Sequence, residues 1–338
     1  MRNGIIGGGN LIVDYIKIID YYPQKNMMCN IIRDPLVAIG GCPHNVLIDL
    51  AKMKLDIPLF ALGLVGNDKE GDLIIKDFND HGVDVTYINR TVDRNTSFTD
   101  AMIEVTTGNR TFFHYGGANS ELDYKHFLKI GEESNAKIFH LANLLHLDKI
   151  DSEEIEYGLV SARILNYLIS KGFKTSVDLV SVKSNLFPHI VKYCLKYINY
   201  LIINEIEAES LSEYKIRMED GSYDKDNLIK TGEYLIKNGV IDLVVIHLPE
   251  GGFVTDKNLK SVFVDSYWVD KSNIKSAVGA GDAFAAGMLY ALHENLPIQY
   301  ALQIANASAR FNLFDSTATG GAQNLVVIKD FINNLIDN

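Results

Sequence analysis

Hydrophobic and polar positions follow two alternating periods along this chain. Short apolar runs of strand length separate longer stretches whose apolar residues recur three and four apart, as on one face of a helix. This strand–helix order predicts an α/β fold with a mostly parallel sheet, whose ligands are expected at the carboxyl ends of the strands. The predicted strands are 4–9, 59–65, 138–141, 175–177, 200–203 and 243–246, and the predicted helices are 45–54, 71–79, 155–170, 227–237, 282–293 and 298–311.

Two segments, 15–28 and 96–115, interrupt this alternation. The second predicts a β-hairpin, because alternating apolar and polar residues flank a Thr-Thr-Gly-Asn turn. We therefore expect a small β-strand lid, formed by 15–29 and 96–116, that covers a substrate cleft or pairs with a partner's lid. Residues 1–14, 30–95 and 117–338 are assigned to the α/β core, and the acidic run 207–226 is expected to be an exposed loop or surface helix.

Composition narrows the classes of function. The chain has 338 residues, 47% of them hydrophobic, which suits one large α/β domain with an appendage or two ordinary domains. A net charge of −11 without a long basic run argues against nucleic acid as a partner. Three widely spaced cysteines indicate a reducing, cytoplasmic setting, and no apolar run is long enough to predict a membrane span.

The run from Ser276 to Gly287 joins a small-residue turn, an acid and an apolar helix. Gly279 and Gly281 allow backbone N–H groups to approach a ligand closely, and the helix that follows directs its positive end toward an anion. Asp282, in the first turn, is a candidate base for a hydroxyl that attacks phosphorus. Taken alone, a tight turn with an acid offsetting the helix dipole explains the same residues equally well.

Asn204 and Glu207 follow a predicted strand at a spacing of three residues. An N-cap Asn with Glu three residues later is a capping box, and the spacing alone favours that structural interpretation. The functional alternative is that the pair orients water around Mg²⁺ on a nucleotide phosphate, because Mg²⁺ prefers oxygen ligands and retains several waters.

Candidate substrate contacts lie near the start of the chain. Gly40 and Gly41 permit close backbone approach, and Asn45 near a helix start can hydrogen-bond a hydroxyl. Asn10 and Asp14 follow the first predicted strand, where ligands collect in such sheets. A turn and a helix start are the competing explanation for each motif.

Other chemistries lack their signatures. The chain contains no P-loop, no H-E-x-x-H, no G-x-S-x-G and no complete dinucleotide-binding fingerprint. His140, His146 and His247 lie in or beside apolar runs and are expected to be satisfied core or strand-end residues. Cys42 and His44 are expected to pack and receive no role.

In this order, the motifs resemble those of the ribokinase-like (PfkB) carbohydrate kinase family over about 3–323. That resemblance implies a three-layer sandwich with a β lid over the sugar site. It implies that Asp282 is the catalytic base, that the amides of Gly279, Ala280 and Gly281 form an anion hole, and that ATP and Mg²⁺ are used. The motifs are Asp14, Gly40-Gly41 with Asn45, 65–71, 96–113, 117–119, 204–207 and 279–282.

The resemblance also assigns roles to residues outside these loops. It implies substrate contacts for Asn10, Asp14, Gly40, Gly41 and Asn45, water-mediated Mg²⁺ binding for Asn204 and Glu207, and nucleotide contacts for those two with His247, Gly252 and Asn306.

Three departures from the family pattern accompany the match. Ser276 replaces the Asp associated with a monovalent-cation site, which leaves K⁺ use open. Asp178 lacks the Asn and Arg that often follow it, and Pro249 stands where Gly is common beside the nucleotide.

The expected reaction is transfer of the γ-phosphoryl of ATP to a primary hydroxyl of a sugar or sugar-like alcohol. A nucleoside kinase is the nearest alternative, since aromatic residues of the lid can stack on a base. A non-catalytic sugar or nucleotide sensor is a further alternative. A homodimer formed lid against lid is expected from the exposed apolar strands.

Overall fold

A nine-stranded sheet forms the centre of the protein in a computed structural model that describes residues 2–181 and 184–336. Its apolar strands are buried on both faces, as in parallel sheets covered by helices. The strands, numbered in chain order, are β1 (Ile5–Gly9), β4 (Leu59–Gly66), β5 (Asp84–Thr91), β8 (Ile138–Leu144), β11 (Lys174–Leu179), β12 (Tyr200–Asn204), β13 (Leu243–Leu248), β14 (Gly251–Asp256) and β15 (Ser261–Asp265).

The strand order is β15-β14-β13-β12-β11-β8-β1-β4-β5. Every neighbouring pair from β13 to β5 is parallel, whereas β14 and β15 are added antiparallel at one edge. The carboxyl ends of the parallel strands therefore meet at one edge of the sheet, which is where the predicted site residues fall.

Helices cover both faces of this sheet and bury two separate hydrophobic clusters. One cluster contains Phe127, Leu165 and Leu235 from one helical layer, and the other contains Phe78, Leu289 and Ile304 from the opposite layer. The predicted three-layer α/β sandwich is confirmed. The helices are α1 (Cys42–Lys52), α2 (Lys69–Asp80), α3 (Lys125–Glu133), α4 (Val160–Ser170), α5 (Phe187–His189), α6 (Glu205–Ser212), α7 (Lys225–Lys237), α8 (Ala280–His293), α9 (Ile298–Asn312) and α10 (Leu325–Ile336).

A second, four-stranded sheet lies outside the main one, in the order β3-β2-β6-β7. It contains the predicted hairpin, and its strands extend past the predicted lid segments because β3 pairs antiparallel with β2. The predicted core segment 30–95 includes β3, which pairs with β2 of the small sheet. The division of the chain into core and lid domains stays a prediction. The strands are β2 (Ile12–Ile19), β3 (Leu36–Gly40), β6 (Phe98–Glu104) and β7 (Arg110–Tyr115).

Two local predictions are wrong. The helix expected from 155 begins only at Val160, because β9 (Glu153–Glu154) and β10 (Gly158–Leu159) form a short antiparallel pair before it. Glu207, expected on an exposed run, is only 4% exposed in the first turn of α6. Within residues 2–181 and 184–336, no helix is long and apolar enough to cross a membrane.

Candidate active site

Polar side chains follow the carboxyl ends of neighbouring strands in the main sheet. Asn143, Asp178, Asn204 and His247 belong to the adjacent strands β8, β11, β12 and β13, and Asn10 follows β1. A cavity of about 140 Å³ opens among most of these residues. Its lining consists of Cys42, Asn143, Asp178, Leu179, Ile202, Asn204, Glu207, His247, Gly281, Asp282 and Ala285.

Two cavities are larger, so volume alone does not identify the site. One of about 780 Å³ shares only Glu207 with the smaller cavity. Another, of about 310 Å³, is lined by Tyr87, Asn89, Lys125, His126 and Lys129, away from every residue of the predicted site. The smaller cavity gathers carboxylates, amides and the start of a helix, and convergent polar groups of this kind are typical of a catalytic pocket.

Helix α8 begins at this cavity with a glycine cap. Gly279 has φ 77°, and a Cβ there would lie 2.1 Å from the backbone oxygen of Ala318, so only glycine fits without strain. No described side chain caps this helix. The N–H groups of its first turn lack intrahelical partners by geometry and present partial positive charge to an anion, although the Ala280 N–H donates to the Ala277 backbone oxygen at 3.3 Å. We call this arrangement the open terminus.

Asp282 lies in the first turn of α8, at the open terminus. The Asn45 side-chain amide donates a hydrogen bond of 2.8 Å to its Oδ2 atom. Burial raises the pKa of Asp282 to about 6, the nearby carboxylate of Asp178 adds to this, and the hydrogen bonds from Cys42 and Asn45 oppose it. The carboxylate is therefore ionised at neutral pH and close to the pKa that suits a general base.

The predicted capping box at the start of α6 is confirmed. Asn204 Oδ1 accepts from the Glu207 N–H at 2.9 Å, and the Asn204 N–H donates to Glu207 Oε2 at 3.1 Å. Ser181 donates to the other Glu207 oxygen at 2.7 Å. Burial raises the pKa of Glu207 to about 7, against the lowering effect of these hydrogen bonds. We call this arrangement the closed terminus.

The predicted substrate residues lie where β2, β3 and α1 meet. Gly40 borders Asp14, since a Cβ on Gly40 would lie 2.4 Å from Asp14 Oδ2. Burial raises the pKa of Asp14 to about 6, although a hydrogen bond from Thr99 lowers it. Gly41 has φ 91° at the start of α1, which brings its backbone against Asn10. Asn10 itself accepts a hydrogen bond from the Asn119 side chain.

The predicted nucleotide contacts divide into two groups. His247 lines the cavity beside Gly281, and burial lowers the pKa of its imidazole to about 4, so the ring is neutral. Asn306 instead donates to the backbone oxygens of Val264 and Asp265 at 3.0 and 3.1 Å. Gly252 packs against helices α8 and α9. Gly252 and Asn306 therefore make structural contacts that the family resemblance does not predict.

Several residues of the site were not predicted. Cys42, expected only to pack, lines the cavity and donates a hydrogen bond to Asp178. His140 was expected to be satisfied, yet its Nε2 atom has no hydrogen-bond partner among the described residues. Asn143 Oδ1 accepts from the Cys42 N–H at 2.8 Å. The sequence offered one usable signal, which is that Asn143 and Asp178 end neighbouring parallel strands.

Comparison with known proteins identifies the family. The sequence profile described as pfkB family carbohydrate kinase matches residues 12–324. A ribokinase of Staphylococcus aureus (strain COL) is 24% identical over 296 residues, covering 87% of this chain and 88% of that protein.

Solved structures share the fold. Arabidopsis thaliana ribokinase, solved with ribose and ATP, superposes with a TM-score of 0.76 at 19% identity, covering 98% of this chain and 99% of that chain. An Escherichia coli relative in complex with ATP and Mg²⁺ gives a TM-score of 0.72 at 18% identity, covering 98% and 99%.

The chain belongs to the pfkB family of carbohydrate kinases. The resemblance drawn from the motifs is thereby confirmed. The protein is a phosphotransferase that acts on a sugar hydroxyl.

Proposed function

We propose that this protein transfers the γ-phosphoryl group of ATP·Mg²⁺ to a hydroxyl, most simply a primary one, of a sugar or sugar-like alcohol. One observation carries the proposal: the half-buried carboxylate of Asp282 lies in the first turn of α8, beside the open terminus. A base for the acceptor hydroxyl and donors for the transferred group are thus held on the same turn of one helix.

Asp282 takes the proton of the acceptor hydroxyl as its oxygen bonds to phosphorus and the bond to the leaving phosphate breaks. The transition state of phosphoryl transfer is loose, so placing the oxygen and stabilising charge matter more than base strength. The first-turn amides of α8, after Gly279, stabilise the negative charge on the transferred group. Asn45 holds the Asp282 carboxylate in position through its 2.8 Å hydrogen bond.

Asn204 and Glu207 are proposed to orient Mg²⁺ through water. The oxygens of both side chains are engaged within the closed terminus, and water-mediated contact fits the preference of Mg²⁺ for retaining its waters. The raised pKa of the buried Glu207 carboxyl also fits a cation site, because a bound cation would stabilise the negative charge of the carboxylate. When bound, Mg²⁺ neutralises charge on the nucleotide phosphates. The nucleotide would also contact His247, which adjoins Gly281.

Asp14, Gly40, Gly41 and Asn45 are proposed to bind the hydroxyls of the acceptor. Burial raises the pKa of Asp14 to about 6, because the carboxylate is shielded from water. Hydrogen bonds from the hydroxyls of the acceptor would stabilise its negative charge there. Gly40 leaves space beside that carboxylate. Asn10 is proposed as a supporting contact.

The small sheet is proposed to cover the acceptor and to pair with the same sheet of a second copy. The small sheet and the segment between β2 and β3 expose large apolar side chains, which a solvated monomer seldom groups together. Phe112 and Phe113 are 62% and 51% exposed although they are adjacent in β7 and point to opposite faces. Met28, Leu36 and Val37 are 82%, 62% and 52% exposed.

The exposed lid aromatics also favour a second candidate, a nucleoside kinase, because such rings can stack on a base. A panel of sugars and nucleosides distinguishes the two. The temperature of unfolding should rise most with compounds of one chemical class, since a ligand at 100 times its Kd stabilises the folded protein by about 2.7 kcal/mol. ADP release with the best compound then tests catalysis. Stabilisation by a sugar without ADP release would reject the kinase in favour of a sugar sensor.

A further inference from the structure

Three potential metal ligands converge behind the proposed base. Cys42 Sγ, His140 Nε2 and an Asp178 carboxylate oxygen all lie within 4.8 Å of one another. They come from the start of α1 and from the adjacent strands β8 and β11, so both the sheet and the helix fix their positions. We call these residues the thiol cluster. The phosphoryl transfer proposed above uses none of them directly.

His140 supplies the observation that hydrogen bonding within the protein does not explain. The side chain is 0% exposed, and its Nε2 atom finds no hydrogen-bond partner in the part of the chain that the structure describes. Asp178 Oδ2 lies 3.5 Å from this nitrogen, beyond a good hydrogen bond. The other ring nitrogen, Nδ1, is 3.0 Å from Ser176 Oγ. A ring anchored at one nitrogen with the other directed at a carboxylate and a thiol is how proteins hold a metal-ligating histidine.

We propose that the thiol cluster binds a thiophilic divalent cation of the Zn²⁺ class through Cys42 Sγ, His140 Nε2 and Asp178 Oδ2. Sulfur, imidazole and carboxylate donors suit Zn²⁺, whereas Mg²⁺ prefers oxygen alone. Ligand atoms placed about 2.0–2.3 Å from a tetrahedral ion lie roughly 3.3–3.8 Å from each other. The 3.5 Å separation of His140 Nε2 and Asp178 Oδ2 matches that geometry, whereas Cys42 Sγ and Asp178 Oδ2, which share a hydrogen bond, would have to move apart.

Binding exchanges a proton for the cation. The Cys42 thiol loses its proton to solvent, a sulfur–metal bond forms, and the thiolate and the Asp178 carboxylate together balance the two positive charges. The Cys42 thiol donates a hydrogen bond to Asp178, and the cation would take the place of that shared proton. The cavity lined by Cys42 and Asp178 provides the path of entry.

A cation in the thiol cluster would inhibit turnover, a consequence that rests on the function proposed above. Asp282 accepts a hydrogen bond from the Cys42 thiol, although its carboxylate is not one of the three converging ligands. Its carboxylate would either coordinate the cation or lose basicity beside it. The site would thus make the kinase sensitive to a thiophilic metal without competing for the Mg²⁺ position.

Cobalt binding tests the site independently of activity. The full chain, freed of metal, is titrated with Co²⁺ alone. A thiolate-to-cobalt absorption band should appear and saturate at one ion per chain, and binding should release a proton. Added Zn²⁺ should displace the cobalt and remove the band. Cys42→Ser should abolish the band, and His140→Gln should weaken Zn²⁺ binding at least about 10-fold. Cys194→Ser is the matched control, because that buried thiol contacts Ser161 instead.

A band of equal strength in Cys42→Ser, or none in the parent chain, would overturn the site. Circular dichroism checks that each variant is folded, and His140→Gln keeps the test valid if Cys42→Ser does not fold. In the activity assay, Zn²⁺ added at saturating Mg²⁺ should lower the rate of the parent chain. The Zn²⁺ concentration that gives the same inhibition should be at least about 10-fold higher for His140→Gln. Zn²⁺ binding without inhibition would overturn the inhibitory role. Cobalt binding in a chain that phosphorylates no acceptor would reject the proposed function and keep the metal site.

Discussion

Two helices begin at the same edge of the main sheet, and their first turns are built in opposite ways. At α6, Asn204 and Glu207 bond each other's backbone N–H groups, so the terminus is closed. At α8, Gly279 has no side chain to offer, and the terminus stays open among the described residues. Capping stabilises a helix by about 1 kcal/mol, which the open terminus forgoes.

Under the proposed function, this difference gives two similar elements of one fold separate tasks. A closed terminus fixes two oxygen-bearing side chains in place, which suits the orientation of a hydrated cation. An open terminus leaves amide donors to a ligand, which suits the binding of a transferred phosphoryl group. Under the proposed function, changing the open terminus should reduce turnover most, and changing the closed terminus should alter nucleotide use and stability.

Asp282→Asn should produce the largest effect. The amide keeps the shape of the side chain and removes the base, so kcat should fall by about 10²- to 10⁴-fold while both substrates still bind. Steady-state assays measure kcat, and titration calorimetry measures the binding of each substrate. Asp72→Asn is the control, because that exposed acid pairs with Arg90 on the surface. Full turnover in Asp282→Asn would remove this carboxylate from the mechanism.

Glu207→Gln should alter the closed terminus without breaking it. Glutamine also serves at this position of a capping box, so the free energy of unfolding should be nearly unchanged. The substitution removes the negative charge that is proposed to face the cation. We expect activity at limiting Mg²⁺ to fall by about 10- to 100-fold, with partial recovery at high Mg²⁺. A Mg²⁺ dependence identical to that of the parent protein would exclude Glu207 from cation binding.

The pH profile should report on the open terminus. The pKa of Asp282 is raised to about 6, and the base works only when ionised, so kcat/KM should fall by at least about 10-fold per pH unit below that value. Protonation of Asp14 and Glu207, whose pKa values are raised to about 6 and about 7, steepens the same limb. Asn45→Ala removes a hydrogen bond that stabilises the carboxylate, so the acid limb should move to higher pH. Profiles are measured with a chelator selective for thiophilic metals. A limb that stays in place in Asn45→Ala would contradict this assignment.

Asn204→Ala should lower stability, which is a smaller effect than the weakened Mg²⁺ response that the proposed role of Asn204 also predicts. The substitution leaves the Glu207 N–H without its side-chain acceptor, and loss of an N-cap lowers the free energy of unfolding by about 1 kcal/mol. Urea unfolding monitored by circular dichroism measures this change. Stability equal to that of the parent chain would show that water replaces the cap at no cost.

The residues of both termini could be predicted from sequence because their chemistry is local. Asn204 with Glu207, and Gly279 with Asp282, lie within one helical turn, so spacing alone brings each pair together. Strand–helix alternation likewise predicted the main sheet. The place of β3 in the small sheet could not be predicted, because pairing with β2 is a tertiary choice and the apolar sequence of β3 suits either sheet.

The thiol cluster could not be predicted, since its members are far apart in sequence. Cys42 and His140 are separated by almost 100 positions, and only the parallel order of β8 and β11 brings His140 beside Asp178. Burial of polar groups depends on which neighbours surround them. His140 and Cys42 therefore looked like ordinary packing residues until their surroundings were known.

A transition-state analogue tests the central claim most directly. The parent chain should bind ADP, Mg²⁺ and aluminium fluoride with its acceptor at least about 100-fold more tightly than ADP and Mg²⁺ with the acceptor. Gly279→Ala distorts the open terminus, because its Cβ would meet Ala318, and should lose most of that gain once folding is verified. If Gly279→Ala keeps the full gain in affinity, the open terminus of α8 is not where the phosphoryl group binds.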